Sequence, residues 1–178
     1  MTQVLLSLGS NLGDREAHLR TAVAALDDLL IAVSGVYESP AWGGPGPDGT
    51  QPPAYLNAAV LAVDGDDDPR AWLRRARELE EAAGRVRDPA WRFAPRTLDV
   101  DVISVWTADG EPVVSDEPEL TLPHPRARLR AFVLRPWLDI QPYAQLPGYG
   151  WVYDLVRADP VAADLSDLRP RTDVSLEP

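Results

Sequence analysis

The chain has 178 residues, 45% of them hydrophobic and 25% charged, with a formal net charge of −11. This composition is ordinary for a globular domain that buries its own core. The chain has no cysteine, two histidines and, because lysine is absent, arginine as its only basic side chain, which excludes disulfide frameworks, thiolate or three-histidine zinc sites, Schiff-base chemistry and lysine-dependent phosphate sites.

Taken in chain order, the hydrophobic pattern predicts the series β-α-β-β-α-β. Apolar runs and alternation indicate strands over 3–9, 31–38, 54–63 and 97–106. Apolar residues at helical spacing indicate a helix near 14–30 and another between Asp68 and Gly84, which are suited to begin and to end a helix. A short helical segment follows at about 126–138. This series is typical of an α+β, ferredoxin-like sandwich, with both helices on one face of an antiparallel sheet.

Three stretches lack such periodicity. The segments 43–53 and 84–96 are dominated by turn-forming residues, so we expect two mobile loops. The C-terminal segment 158–178 is acidic and contains proline. We therefore expect a single domain over 1–157, followed by a loosely ordered tail.

The chain also carries no obvious targeting segment. No apolar run approaches the ~20 residues that a membrane-spanning helix needs. The N-terminus lacks the basic start and the small-residue cleavage site of a signal peptide. We expect a cytoplasmic protein without a membrane partner, and the acidic pI of about 4.5 argues against a nucleic-acid partner.

Arginine is concentrated in one part of this acidic chain. Residues 70–96 carry eight arginines against four acidic residues. A solvated helix face explains the first of them, Arg70, Arg74 and Arg75. It explains less well the arginines of the following loop, Arg85, Arg87, Arg92 and Arg96. These lie in an irregular segment that leads directly into a pair of carboxylates.

That pair is Asp99 and Asp101, two residues apart in an alternating strand. Their side chains project from the same face, with Cα atoms about 7 Å apart. Adjacent like charges cost stability, and a hard cation such as Mg²⁺ would remove that cost. For an isolated D-x-D the plainer interpretation is a solvent-facing strand. Beside guanidinium groups that can hold phosphate oxygens, the pair instead favours phosphoryl transfer.

Three other segments carry chemistry with two possible interpretations. His124 lies between two prolines and near arginines, where it could donate to a phosphate or be purely structural. Tyr55 and Asn57 share a strand face, and could bind a flat heterocycle or form a half-buried edge. The turn formed by Gly9-Ser10-Asn11 with Gly13-Asp14 could cradle a phosphate, or simply join a strand to a capped helix.

Five segments, in this order and spacing, together resemble the 6-hydroxymethyl-7,8-dihydropterin pyrophosphokinase family of folate biosynthesis. They are SLGSNLGDR (7–15), YLNAAV (55–60), GRVR (84–87), PRTLDVD (95–101) and LTLPHPRARLRAF (120–132). The resemblance covers roughly 1–157 and implies a ferredoxin-like fold with an active-site valley covered by mobile loops. It also implies Mg²⁺-dependent transfer of diphosphate from ATP to the pterin hydroxymethyl group, with AMP as the second product.

The resemblance further implies roles for individual residues. Asp99 and Asp101 would bind two Mg²⁺ ions and, with Arg85 and Arg96, form the catalytic group. The residues implied to bind ATP are Glu80, Arg85, Arg87, Arg96, Thr121, His124 and Arg130. Those implied to bind the pterin are Ser39, Pro40, Trp42, Tyr55, Asn57 and Phe132, with Tyr55 and Phe132 stacking on the ring. The expected partners are these small molecules alone, bound by a monomer.

The chain departs from the family pattern at three places. The family commonly has Arg-Trp-Gly-Pro-Arg where this chain has Arg-Phe-Ala-Pro-Arg over 92–96. Phe93, or Trp91 through a register shift, would then supply the loop aromatic. Arg77 stands where glutamine is frequent, and Pro125 stands where an aromatic residue can follow the histidine.

Two other functions remain open. A different Mg²⁺-dependent D-x-D enzyme, such as a nuclease or a glycosyltransferase, would use the same carboxylates, although a nuclease would have to bind nucleic acid. A non-catalytic ferredoxin-like ligand-binding or regulatory module would leave the arginine loop, the aspartate pair and the Pro-His-Pro segment without a shared purpose. Release of AMP that depends on hydroxymethyldihydropterin separates the three.

Overall fold

A computed structural model describes all residues 1–178. The strands are β1 (Thr2–Ser10), β2 (Leu30–Val33), β3 (Tyr37–Ser39), β4 (Tyr55–Asp64), β5 (Asp99–Thr107), β6 (Ser115–Glu117), β7 (Leu120–Leu122), β8 (Gln145–Leu146), β9 (Gly150–Trp151) and β10 (Arg169–Pro170). The α-helices are α1 (Arg15–Ala24), α2 (Arg70–Ala82), α3 (Ala131–Ile140), α4 (Val152–Leu155) and α5 (Val161–Ser166). Short 3₁₀ turns occupy Asp27–Leu29 and Ala127–Leu129.

One antiparallel sheet organises the molecule. Its strand order is β10-β3-β4-β1-β5, and β2 also pairs with β4. Helices α1 and α2 pack on one face, where the buried residues include Leu19, Val23, Trp72, Leu79, Leu6, Val60 and Val102. This arrangement confirms the predicted α+β, ferredoxin-like sandwich.

A third layer covers the other face of the sheet, which the sequence did not predict. Helix α3 buries Leu134 and Trp137 against Leu5 and Ile103, and residues of α4 and α5 extend this second core. Phe132 near the start of α3 and the strand residues Ser7, Asn57 and Asp101 line an open cavity beside this core. No helix in the structure is both long enough and apolar enough to span a membrane.

Two predicted elements differ in their bounds for local reasons. The helix predicted near 14–30 ends at Ala24 and is followed by a 3₁₀ turn. The strand predicted over 31–38 is two strands, because the chain bends at Ser34. The Ser34 hydroxyl accepts the backbone N–H of Ala59 and donates to the carbonyl of Gly35, replacing part of the strand ladder.

The expectation of a loosely ordered C-terminal tail is wrong. Strand β10 pairs with β3, and Val174 and Leu176 are buried in the core beneath α1 and α2. Their burial explains the ordered path of a segment that has no periodicity, because isolated apolar residues act here as anchors.

We expect Leu176→Ala to lower the free energy of unfolding by about 2–4 kcal/mol, since it removes a fully buried leucine from a packed core. Chemical denaturation measures the change. Val114→Ala, at a 75% exposed valine, is the control and should change stability by less than about 0.5 kcal/mol. A change that small in Leu176→Ala would contradict the docked position of the C-terminal segment.

Candidate active site

A cavity of about 930 Å³ lies on the open part of the sheet beyond α3. Its floor is formed by side chains of adjacent strands, Ser7, Tyr55, Asn57, Asp99 and Asp101. Gly9 of β1 is paired with both Asn57 and Asp99, so these three positions form one row across the sheet. A Cβ at Gly9 would lie 3.2 Å from the Tyr55 ring, so glycine keeps the floor open between the aromatic and the acidic ends.

The cavity is strongly charged. Seven of the chain's seventeen arginines line it: Arg77, Arg85, Arg87, Arg92, Arg96, Arg126 and Arg130. The acidic residues that line it are Glu80, Asp88, Asp99, Asp101 and Glu119. In a chain of net charge −11, this excess of arginine concentrates positive charge where a polyanion could bind.

Arg85 is the most deeply held of these arginines. Its side chain is 8% exposed, and its Nη1 contacts the Glu80 carboxylate and lies 2.9 Å from Asp99 Oδ1. Gly84 follows the end of α2 with a positive φ of 73°, and the Arg85 N–H then donates to the Glu80 carbonyl at 3.1 Å. Arg85 lies in the predicted loop 84–96, but its buried, paired side chain differs from the mobile one expected there.

Glu80 anchors two arginines and a strand edge together. One carboxylate oxygen accepts the backbone N–H of Val100 at 2.9 Å, and the other accepts from Arg87 at 3.0 Å. Burial raises the pKa of Glu80, and the Val100 and Arg85 contacts oppose that rise. Arg87 itself is 69% exposed, so it is the arginine of this group with freedom to move.

Arg96 is fixed through its backbone. Its N–H donates to the side-chain oxygen of Asn11 at 2.6 Å, and its carbonyl accepts the Asn11 N–H at 3.0 Å. The Asn11 amide also donates to the Pro53 carbonyl, so one buried residue joins the ends of both loops. The Arg96 guanidinium lies 2.8 Å from Asp99 Oδ2.

Asp101 lies among other cationic and titratable groups. Arg130 Nη1 lies 3.4 Å from Asp101 Oδ2, and His124 Nε2 lies 3.9 Å from Oδ1. Burial, and then the charge of Asp99, raise the pKa of Asp101 above that of a free carboxyl. The guanidinium of Arg130 only partly offsets this rise.

His124 presents a neutral ring to the cavity. Its backbone N–H donates to the Ile103 carbonyl, and its Nδ1 accepts the N–H of Arg126 at 3.2 Å. Burial, and then Arg130, lower the pKa of His124 to about 4. With Nδ1 acting as acceptor, the proton of the neutral ring lies on Nε2, which can donate to an anion.

The other end of the cavity is lined by aromatic side chains and offers one hydrogen-bond acceptor, Asn57 Oδ1. The Asn57 amide group donates to the Tyr37 carbonyl and to Ser39 Oγ at 3.1 and 2.8 Å. Both donors are thereby used, and Asn57 Oδ1 remains as an acceptor. Trp42 contacts Phe132 edge to face with ring centroids 6.0 Å apart, and Arg130 lies over both rings.

The two loops predicted to be mobile contact each other over this cavity. The Phe93 ring packs on Gly43, where an added Cβ would come within 2.5 Å of the ring. Trp91 packs in the same way on Gly46. Both aromatics line the cavity, so neither is singled out as the loop aromatic.

The structure brings together all the sequence-predicted site residues except one. Thr121 does not line the cavity, and its hydroxyl donates to the Glu117 carbonyl within the β6–β7 hairpin. Arg126 and Glu119 also line the cavity, and the sequence predicted no site role for them. Arg126 follows His124 by two positions, which is the only signal that could have indicated it.

The turn over 9–14 caps a helix, as one of its two interpretations predicts. Asp14 accepts the backbone N–H of Ala17 and caps α1. The turn therefore joins strand to helix, and within this motif Gly9 lines the cavity while Asn11 holds the backbone of Arg96.

The acidic groups fit a hard metal whose coordination is completed by other ligands. No group of three or more His, Cys, Asp or Glu side chains could hold a metal ion. Asp99 and Asp101 supply only two carboxylates, and burial, followed by the charge of Asp99, raises the pKa of Asp101, so a bound cation would offset both effects. This donor set suits Mg²⁺, which is commonly held by one or two carboxylates together with substrate phosphates and water.

Comparison with known proteins gives a consistent result. The family model described as 7,8-dihydro-6-hydroxymethylpterin-pyrophosphokinase (HPPK) matches residues 5–142. The 2-amino-4-hydroxy-6-hydroxymethyldihydropteridine pyrophosphokinase of Mycobacterium bovis is 47% identical over 174 residues, which cover 96% of this chain and 86% of that protein. The protein of the same name from Mycobacterium leprae is 46% identical and covers 96% of this chain and 85% of its own length.

Solved structures share the fold at low sequence identity. An HPPK-DHPS chain of Plasmodium falciparum superposes with a TM-score of 0.62 at 12% identity. The match covers 96% of this chain and 47% of that one, so this chain spans less than half of the longer protein. At this identity the likeness supports the fold alone.

Proposed function

The chain belongs to the 7,8-dihydro-6-hydroxymethylpterin-pyrophosphokinase family, and we propose how its own residues carry out that family's reaction. The reaction transfers diphosphate from ATP to the hydroxymethyl group of 6-hydroxymethyl-7,8-dihydropterin in folate biosynthesis. The hydroxymethyl oxygen bonds to the β-phosphorus, the bond from that phosphorus to the α,β-bridging oxygen breaks, the hydroxyl proton is lost, and AMP leaves.

The arginine end of the cavity is the proposed triphosphate site. Arg85, Arg96 and Arg130 are held in place by carboxylates and can turn their donors to phosphate oxygens, as can His124 Nε2. Charge spread over phosphoryl oxygens is stabilised mainly by such prearranged donors. Glu80 faces this site, but both of its oxygens already bind protein groups, so its proposed role is to hold Arg85 and Arg87.

Asp99 and Asp101 are the proposed ligands of two Mg²⁺ ions. When bound, these ions would neutralise phosphate charge and lower the pKa of the substrate hydroxyl. That chemistry suits a site with no lysine and with a histidine that is neutral near pH 7. The arginines now paired with the two carboxylates would be released to the triphosphate.

The aromatic end is the proposed pterin site. Tyr55 and Phe132 supply ring surfaces, with Ser39, Pro40 and Trp42 along the wall. Asn57 Oδ1 would accept from an N–H of the pterin edge, because the Asn57 donors are already used. A site with a single fixed acceptor discriminates strongly against an edge that lacks the donor.

The loops 43–53 and 84–96 are the proposed cover of the site. Their contact through Phe93 and Trp91 places apolar surface over the cavity. Exclusion of water there protects the diphosphate from hydrolysis. We further propose that the protein acts as a cytoplasmic monomer on these small molecules, without nucleic-acid or membrane partners.

One observation carries this proposal: a single cavity joins seven arginines and a carboxylate pair to an aromatic pocket with one fixed acceptor. The test is AMP formation from ATP with and without hydroxymethyldihydropterin. We expect stoichiometric AMP and pterin diphosphate only when both substrates and Mg²⁺ are present. AMP released without the pterin, or cleavage of nucleic acid or of a nucleotide sugar, would overturn it.

The pterin site can be tested separately. We expect Tyr55→Ala and Phe132→Ala each to weaken pterin binding by about 3- to 15-fold, because each removes one stacking surface. Asn57→Ala should weaken it further, since it also frees the Ser39 and Tyr37 acceptors. Calorimetry in the presence of a nonhydrolysable ATP analogue measures the affinities. Tyr55→Phe keeps the ring and is the control, and unchanged binding in all three test variants would place the pterin elsewhere.

A further inference from the structure

The C-terminal segment 158–178 lies outside the residues that the family model matches, yet it reaches the back of the site. Strand β10 pairs with β3, with Arg169 opposite Glu38 and Pro170 opposite Tyr37. The next residue continues the contact, because the Arg171 N–H donates to the Val36 carbonyl at 2.8 Å.

Glu38 joins this segment to two other parts of the chain. Its Oε2 accepts from Arg171 Nη1 at 3.2 Å and from Arg15 Nη1 at 2.9 Å. Arg15 Nη1 also donates to the Ala54 carbonyl at 2.9 Å. The three charged side chains are each only 26–28% exposed, so the cluster is partly shielded from solvent.

The groups held by this cluster adjoin the proposed pterin site. Ala54 immediately precedes Tyr55, and Glu38 lies between Tyr37 and Ser39, the two residues that accept the Asn57 amide. The cluster therefore contacts both strands of this pairing, at Glu38 in the middle of β3 and at Ala54 just before β4.

A second, smaller cavity is lined both by the C-terminal segment and by two residues of the main cavity. This cavity of about 440 Å³ is lined on one side by Ser39 and Pro40, which also line the main cavity. Its other side is lined by Ser166, Asp167 and Arg169 of the C-terminal segment. The two cavities therefore share the wall residues Ser39 and Pro40, with the C-terminal segment lining the smaller cavity and the pterin end belonging to the larger one.

Strand β3 needs such support. It has three residues, and β4 is its only other neighbour in the sheet. A strand this short at a sheet edge opens readily unless another element covers it. Strand β10 supplies the missing neighbour, and Arg171 ties it to Glu38.

We propose that the C-terminal segment positions the pterin-binding wall, with Arg171 as the positioning residue that acts through Glu38 and Arg15. This inference rests on the proposed function, because it assumes that the aromatic end binds the pterin. It assigns a role in substrate binding to a segment outside the family match. Arg171 would contact neither substrate.

The test is Arg171→Ala in the full chain. We expect about a three- to tenfold weaker affinity for hydroxymethyldihydropterin, measured with saturating nonhydrolysable ATP analogue and Mg²⁺. Affinity for the analogue itself and kcat at saturating pterin should stay within about twofold, because the phosphate end does not touch this cluster. A structural loss spread over the whole domain would move all three quantities.

Matched variants make the result specific. Arg157→Ala removes an arginine of the adjoining C-terminal region that packs on Tyr153, and it should leave pterin affinity unchanged. Arg171→Lys keeps the charge and should recover part of the affinity. If Arg171→Ala fails to fold, Glu38→Gln weakens the same cluster while preserving side-chain shape, and it should give the same selective loss.

The outcomes separate this inference from the proposed function. Wild-type protein that does not bind the pterin would overturn both. Wild-type binding with equal pterin affinity in folded Arg171→Ala would overturn the positioning role alone. An equal loss of pterin and ATP-analogue affinity would also overturn it, because the effect would then not be confined to the pterin wall.

Discussion

Replacing either Asp99 or Asp101 by asparagine should reduce turnover by about a thousandfold or more while raising the affinity for ATP in the absence of divalent cations. The opposite signs follow from the pairing in the structure. Asp99 holds Arg85 and Arg96, and Asp101 faces Arg130. These are the same arginines that we propose to bind the triphosphate.

Binding at this site is thus an exchange of partners. Without metal, ATP must separate the arginines from two carboxylates, which then remain unpaired next to the phosphates. An asparagine holds an arginine more weakly and does not repel phosphate, so we expect metal-free ATP affinity to rise by about fivefold. With Mg²⁺ present, the same variant lacks a metal ligand, and turnover is lost.

Two measurements check this expectation. Calorimetry with ATP in EDTA gives the metal-free affinity, and single-turnover AMP formation in Mg²⁺ gives the rate. Asp109→Asn, in the exposed turn after β5, is the matched control and should change neither. Full turnover in a folded Asp99 or Asp101 variant would contradict the metal assignment, and weaker metal-free ATP binding would contradict the exchange.

Most of the two-layer fold could be predicted because its signals are local. Strands β1, β4 and β5 and helix α2 carry strong periodicity, and Gly84 ends α2 as its conformational freedom predicts. Apart from α3, the segments that form the third layer show no comparable hydrophobic periodicity in the sequence. The remaining apolar contacts of this layer come from isolated residues on elements of two to six residues, such as Val152, Val156 and Val161.

The chemistry of the site was predictable, whereas its geometry was not. Residue types and motif order indicated the arginines and the aspartates. The burial of Arg85 depends on Glu80 reaching the edge of β5, which no spacing indicates. At Thr121 the motif matched but the position did not. This residue belongs to a short hairpin, and its hydroxyl donates to the Glu117 carbonyl of the same hairpin.

The largest effect expected at any arginine is at Arg96. We expect Arg96→Ala to weaken ATP binding by about tenfold and to slow single-turnover AMP formation by about a hundredfold. Two hydrogen bonds to Asn11 hold the Arg96 backbone in place. We therefore expect the Arg96 guanidinium to contact phosphate without any movement of the loop. Arg96→Lys should not restore the rate if the contact is bidentate, because an ammonium group cannot reproduce the planar pair of donors.

Arg87 provides the contrast, because it is exposed and held only by Glu80. Its contacts with the triphosphate would form as the loops close, so Arg87→Ala should slow turnover by about tenfold and change ATP affinity by less than about twofold. Arg74→Ala, on the exposed face of α2, is the control for loss of one positive charge and should have no effect on either quantity. Equal effects of the Arg96 and Arg87 variants on ATP affinity would contradict the distinction between a fixed and a mobile arginine. Wild-type rates of AMP formation in both variants would mean that Arg96 and Arg87 act only as solubilising surface charges.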